Sequence, residues 1–151
     1  MISIRHHERA GRGAEGIFTL RVYRRGVLIE EFREKNLLVD GLNVSQAHLI
    51  AGDTTNRFVT KIGFGSSGTA ATPSDTALTN LFSRAIGNIT YPTANSVQWA
   101  WQLAQGEANG LSIREFGLLT ANNTLIARRT RATAIPKDSD ISLTGSWGIS
   151  F

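Results

Sequence analysis

Histidine is the commonest metal ligand and proton carrier among side chains, and this sequence contains three histidines. His6 and His7 lie in a polar leader, and His48 lies in a predicted helix without a second ligand one turn later. The sequence contains no cysteine, which excludes disulfides, zinc–thiolate sites and thiol catalysis. We therefore predict no metal site and no cofactor.

A glycine-rich motif, Gly63-Phe64-Gly65-Ser66-Ser67-Gly68, follows a predicted strand and matches the spacing of a dinucleotide-binding loop. Such a loop needs a helix that begins directly after the glycines, so that the helix N-terminus faces the pyrophosphate. Pro73 disfavours early helix growth here, and no strand–helix–strand unit is predicted around the motif. We interpret the motif as a surface loop rather than a nucleotide site.

Neighbouring acidic and basic side chains could act as a general acid and base, and Arg114 and Glu115 are adjacent in a predicted strand. Successive strand residues point to opposite faces, so these two side chains do not form one catalytic pair. No serine–histidine–aspartate arrangement is legible, and no catalytic residue is assigned. The sequence predicts a protein that is not an enzyme.

Arginines give the two ends of the chain a basic character. The formal charge is +4, with +3 in residues 1–35 and +2 in residues 128–151. In a strand, Arg128 should face away from Arg129 and Arg131. Strand arginines can pair with phosphates or acidic subunits, or can protect an edge strand from aggregation, and both interpretations remain open. Basic runs alone do not indicate nucleic acid, which is not expected as a partner. The candidate contacts with other subunits are Arg5, Arg9, Arg12, Arg24, Arg25, Arg128, Arg129 and Arg131.

Short β-strands are predicted to position these residues. Hydrophobic residues make up 41% and charged residues 19%, as in a globular domain, and 15 glycines favour tight turns. Apolar and polar residues alternate in several segments, as they do in half-buried strands. Strands are predicted within 17–32, 58–64, 85–91, 96–103, 111–131 and 141–151. Their number and spacing predict a mainly β fold, an antiparallel β-sandwich or barrel-like domain.

One short helix is expected to interrupt the strands. Asp40 is its predicted N-cap, and Gly52 is its predicted C-terminal stop. The residues on its predicted apolar face are Val44, Ala47, His48 and Ala51. A single helical turn is also expected at residues 75–78.

Residues 1–15 are predicted to form a flexible, extended N-terminal arm, and residues 16–151 a single β-rich domain. The leader is too polar for a signal peptide. No apolar run approaches the roughly 18 residues that a membrane helix needs. We therefore expect no membrane partner.

Three separated segments resemble the N-terminal docking region of collar and tail-fibre proteins from contractile-tailed bacteriophages. They are Ile62-Gly63-Phe64-Gly65, then Asp75-Thr76-Ala77-Leu78-Thr79-Asn80 with Arg84, and then Gly110-Leu111-Ser112-Ile113-Arg114-Glu115-Phe116-Gly117-Leu118-Leu119 with Asn122-Asn123-Thr124-Leu125-Ile126-Ala127. In the fibre proteins, a similar IREIGL strand leads into an ADGTLIA hairpin. The upstream piece Asn36-Leu37-Leu38-Val39-Asp40-Gly41 resembles small phage virion proteins that begin with a hairpin and NLIV. Fibre proteins continue into long trimeric shafts, so we expect a docking module without the fibre.

The resemblance implies a bacteriophage virion structural protein, a tail, baseplate or collar component that acts through subunit contacts and fibre docking. The expected partners are other phage virion proteins, and the chain is expected to form a homo-oligomer. The alternative is a capsid decoration (cement) protein that stabilises the head shell. The expected location is the virion, after assembly in the bacterial host cytoplasm.

Overall fold

The computed structural model describes residues 13–151, and β-strands make up most of them. The strands are β1 (Glu15–Arg24), β2 (Val27–Leu38), β3 (Val59–Gly65), β4 (Phe82–Ala85), β5 (Ile89–Thr90), β6 (Ser96–Leu103), β7 (Ser112–Thr120), β8 (Leu125–Pro136) and β9 (Ile141–Ser150). One short helix, α1 (Asp40–Ile50), connects β2 to β3 in this part of the chain. The predicted mainly β fold is confirmed.

The strands form one curled antiparallel sheet in the order β4-β3-β7-β8-β2-β1-β9-β6-β5. Half-sheet A contains β5, β6, β9, β1 and β2, and half-sheet B contains β8, β7, β3 and β4. The two halves are joined where β2 pairs with β8, at Leu37↔Arg128 and Leu38↔Ala127. The sheet therefore folds over on itself at this short junction, as a half-barrel whose two halves face each other.

A cluster of buried aromatic rings fills the space between the half-sheets. Phe18 of half-sheet A lies 4.8 Å from Phe116 of half-sheet B, measured between ring centroids. Trp101 lies 5.7 Å from Phe64 across the same space, and Trp147 lies 4.9 Å from Phe18. Each of these side chains comes from the inward face of its strand, because the apolar positions alternate. The larger core is thus shared by both halves, and a second, smaller buried cluster contains Val39, Leu78, Leu119 and Leu125.

The predicted hairpins and the last strand are confirmed. The turn between β1 and β2 uses left-handed geometry at Arg25 (φ 51°) and Gly26 (φ 78°), and the turn between β7 and β8 uses it at Asn123 (φ 64°). Glycine and asparagine favour tight turns for this reason. In β9, Leu143 and Trp147 are fully buried, as the alternation predicted.

The helix forms as predicted, but its predicted orientation is wrong. Val39, not Asp40, is the N-cap, and its N–H donates to the Ile126 carbonyl of β8. This bond lays the first turn of α1 on β8, which buries Leu42 and Ser45 and leaves Val44 half exposed. The predicted stop at Gly52 is confirmed by its φ of 86°.

Two other local predictions are wrong. No helical turn forms at residues 75–78, because Asp75 folds its carboxylate back onto Thr72, with bonds of 2.9 Å from the N–H and 2.7 Å from the hydroxyl. The strand predicted over residues 85–91 is divided between β4 and β5, which lie at opposite edges of the sheet.

The predicted arm, residues 1–15, is only partly described. Residues 1–12 lie outside the described residues, residues 13 and 14 have no regular secondary structure, and β1 begins at Glu15. Glu15 pairs with Ser150 of β9, so it belongs to the sheet rather than to the arm.

Candidate assembly surfaces

The turn between β1 and β2 presents two of the predicted contact residues. Arg24 lies 3.6 Å from Asp140, measured from its Nε atom to Oδ2, and its side chain is 55% exposed. Arg25 is exposed, and its backbone N–H donates to the Asp140 carbonyl at 2.8 Å. Directly after the turn, Val27 is 65% and Ile29 53% exposed. The hairpin end therefore combines two cations with apolar side chains that are open to solvent.

The outer edge of β2 is largely unpaired. Along its other edge β2 pairs with β1 from Val27 to Asn36, with a β-bulge at which Ile29 is skipped. Its edge toward β8 is paired at only two positions, Leu37 and Leu38, after which the strands diverge. Within residues 13–151, the edge from Val27 to Asn36 therefore has no strand partner. Except at the Lys35 carbonyl, which accepts from Arg129, such an edge carries backbone donors and acceptors that can pair with another strand.

Ion pairs bridge β2 and β8 where the strands diverge. Arg129 contacts Glu34 at 2.5 Å, and its guanidinium lies 4.9 Å from the centre of the Phe32 ring. Arg131 contacts Glu30 at 2.8 Å. As predicted, both arginines lie on the face opposite to Arg128. They stabilise the chain internally, and each remains partly exposed.

Arg128 is buried inside the chain, which corrects its prediction as a contact with other subunits. Its side chain is 4% exposed, and its Nε atom lies 2.8 Å from Oε2 of Glu115, whose side chain is 1% exposed. Its Nη1 atom lies 2.8 Å from Oδ2 of Asp75. Burial raises the pKa of Asp75, but hydrogen bonds from Thr72 and Arg128 outweigh burial, and the net pKa is lowered. The Arg128 guanidinium thus lies between the carboxylates of Asp75 and Glu115, which compensate its buried charge.

The loop between β3 and β4 covers this ionic cluster, which explains the burial of Arg128. Glu115 Oε1 accepts from the backbone N–H of Ser67 at 3.2 Å and of Thr79 at 2.6 Å. A Cβ atom on Gly65 would collide with the Glu115 carboxylate, so only glycine lets the loop start so close. Of the glycine motif, Gly63 to Gly65 belong to β3 and Ser66 to Gly68 to the loop, and no helix lies between β3 and β4, so the interpretation as a loop is confirmed for the second half only. The sequence does contain one indication of this covering loop: Gly63 and Gly65 alternate in a strand, so one face of the strand has no side chains there and another segment can approach it closely.

Lys137 is a buried cation that the sequence analysis missed. Its side chain donates to the Gln105 carbonyl at 3.0 Å, to Oδ1 of Asn109 at 2.8 Å and to the Asp138 carbonyl at 3.0 Å. Burial lowers the pKa of Lys137, and nearby carboxylates, first Glu107, oppose that shift. The lysine holds the loop between β6 and β7 against the end of β8. Nothing in its local sequence distinguishes it from a surface lysine.

His48 lies near the C-terminal end of α1 and pairs with an acidic side chain. Its Nδ1 atom lies 2.7 Å from Oδ2 of Asp53, and this hydrogen bond is the main cause of the lowered pKa of Asp53. Residues 13–151 contain no cluster of histidine and acidic side chains that could hold a metal ion. His6 and His7 lie outside the described residues.

Two of the concavities on the surface of the described chain differ in size and lining. An open groove of about 780 Å³ runs over the outer face of half-sheet A, and its floor includes Thr19, Ala100 and Ser146. A smaller apolar pocket of about 180 Å³ lies between α1 and the end of half-sheet A, and it is lined by side chains such as Leu49 and Phe151. Both are surface features rather than enclosed cavities between converging charges.

Three predicted contact residues, Arg5, Arg9 and Arg12, lie outside the described residues. No helix within residues 13–151 is both long and apolar enough to span a bilayer. No family model, curated protein or solved structure matches the chain.

Proposed function

We propose that the chain is a structural protein of a tailed bacteriophage, a tail, baseplate or collar component that works through subunit contacts and fibre docking rather than catalysis. Its partners are other virion proteins and further copies of itself. It is assembled in the host cytoplasm and remains in the virion.

The observation that carries this proposal is that the separated segments resembling phage docking regions meet in one packed unit. The first segment supplies Gly65, the second supplies Asp75, and the third supplies Glu115. The hairpin strand that follows supplies Arg128, which contacts both Asp75 and Glu115. The resembling segments thus form one packed unit, as the parts of a docking module would.

The mechanism of the proposed function is burial of exposed surface between subunits, assisted by charge pairing. The end of the first hairpin offers Arg25 with the apolar Val27 and Ile29, all exposed. The unpaired edge of β2 offers backbone groups. These features suit a protein that is held by neighbours on several sides.

The test is incorporation into particles. Phage particles from the source strain would be purified, separated into heads and tails, and probed with an antibody raised against the purified chain. We expect the protein in the tail fraction, and immunogold label at the tail, baseplate or collar. Absence from washed particles would contradict the proposal, and label confined to heads would replace it with capsid decoration.

A further inference from the structure

We propose that β2 pairs antiparallel with β2 of a second copy, about a twofold axis at Phe32, so that half-sheet A continues across two molecules. This inference deepens the proposed function and rests on it for its biological role, because it names one contact through which the protein would self-assemble.

The backbone of β2 is oriented for this pairing. Val39, which directly follows β2, donates its backbone N–H to the Ile126 carbonyl of β8, so Leu37, two residues earlier, also directs its backbone groups toward β8. Along a strand, the backbone N–H and C=O groups of every second residue point to the same edge. Those of Glu31 and Arg33 therefore also point to the open edge of β2. The Lys35 carbonyl also faces this edge but is already occupied, because it accepts from Arg129 at 2.9 Å, so the free part of the edge begins at Arg33. The open edge therefore presents donors and acceptors at Glu31 and Arg33.

The charges of β2 select the register of the pairing. When Phe32 lies on the twofold axis, Glu31 of each copy lies opposite Arg33 of the other. This gives two opposite-charge pairs, and Glu31 and Arg33 are the residues whose backbone groups face the partner. Cross-strand pairs of opposite charge are stabilising, and like charges directly opposite are destabilising. Moving the axis to Glu31 or to Arg33 would place two like charges in contact.

The remaining opposed residues are compatible with the same register. Glu30 lies opposite Glu34, but each acid already has its own cation, Arg131 and Arg129 respectively. The pairing is confined to Glu30–Glu34 of each copy, because Ile29 is the residue skipped at the β-bulge between β1 and β2, and the Lys35 carbonyl already accepts from Arg129.

Two charge-reversal variants test the register. In E31R, both pairs between positions 31 and 33 are Arg–Arg, and in R33E both are Glu–Glu. Each variant alone should therefore dimerise at least about 100-fold more weakly than the wild type. An equimolar mixture of the two variants restores Arg–Glu pairs at both positions and should form heterodimers. Arg21 contacts Glu31 within one molecule, so E31R also loses that pair, whereas R33E leaves it intact. R114E, an exposed reversal on β7, is the matched control and should dimerise as the wild type does.

Sedimentation and light scattering of the purified 16.4 kDa chain would measure these species, with circular dichroism to verify folding. Hydrogen exchange on the wild type gives an independent measurement, in which the Glu31 and Arg33 amides should gain protection as protein concentration rises. If a variant fails to fold, the hydrogen exchange of the wild type still shows whether β2 pairs with β2 of a second copy. A wild type that is monomeric up to about 1 mM, single variants that dimerise normally, or a mixture of folded variants that stays monomeric would each overturn the proposal. None of these results bears on incorporation into particles, so the two proposals fail separately.

Discussion

Arg128 is buried between two carboxylates, and a buried charge that loses its partner is strongly destabilising. Replacing it by methionine keeps much of the volume but leaves Glu115, which is 1% exposed, without its cation. We expect Arg128→Met to lower the free energy of unfolding by about 3–5 kcal/mol, measured by urea denaturation at neutral pH.

The matched control for this variant is Arg114→Met on the neighbouring strand. Arg114 is exposed and makes only a 3.5 Å contact with the Ala132 carbonyl. The control should change the free energy of unfolding by no more than about 0.5 kcal/mol. Equal losses for the two variants would mean that the ionic cluster does not stabilise the fold.

Asp75 should link stability to acidic pH. Burial opposes its ionisation, but hydrogen bonds from Thr72 and Arg128 outweigh burial and hold the folded-state pKa below the unfolded value of 3.8. The stabilisation is therefore present above the unfolded pKa and is lost as pH falls through the folded pKa. Asp75→Asn should lose about 1–3 kcal/mol at about pH 6, and its difference from the wild type should shrink toward about pH 2. A difference that is constant across urea denaturation curves in this pH range would contradict the assignment.

At the scale of elements, the start of the loop that covers half-sheet B depends on Gly65. A Cβ atom there would meet the Glu115 carboxylate and would lie 2.8 Å from the Thr79 carbonyl oxygen. Backbone atoms cannot move aside easily, so Gly65→Ala should lower the free energy of unfolding by about 1–3 kcal/mol. Gly106→Ala is the control, because a Cβ atom at Gly106 meets nothing within 4 Å and should leave stability unchanged or slightly raised. Thermal unfolding of both variants would separate the two outcomes, and a stable Gly65→Ala would refute the close approach.

The elements that could be predicted from the sequence are those in which local alternation and turn chemistry agree. The β1–β2 hairpin follows from its alternation and from Gly26, which adopts a φ of 78°. The last strand follows from alternating apolar residues such as Leu143 and Trp147. In such segments the local pattern already specifies both the strand and its buried face.

The features that could not be predicted depend on contacts between distant segments. Strand periodicity placed Arg128 opposite to Arg129 correctly, but it could not show that the loop after Gly65 covers the face of Arg128. The rotation of α1 follows from the bond between Val39 and Ile126, which lie far apart in sequence. Asp75 resembles a helix cap in sequence, and instead it binds Thr72 and Arg128.

At the scale of the whole molecule, backbone pairing between the half-sheets is limited to two residues of β2, Leu37 and Leu38. Beyond that junction, the halves are held by the aromatic core and by the ion pairs of Arg129 and Arg131. Partly exposed ion pairs contribute little, typically under about 1 kcal/mol each. The aromatic core must therefore supply most of the cohesion between the halves.

Phe18 is the residue through which this cohesion can be tested, because its ring contacts aromatic rings of both half-sheets, including Trp147 and Phe116. Phe18→Ala should lower the free energy of unfolding by about 3–5 kcal/mol. The wild type should unfold in one cooperative transition, since the larger of its two buried clusters is shared between the halves. All three tryptophans are buried, so their fluorescence reports the core while far-ultraviolet circular dichroism reports the strands. The two signals should coincide during urea denaturation of the wild type, and separate transitions would mean that the half-sheets fold as independent units.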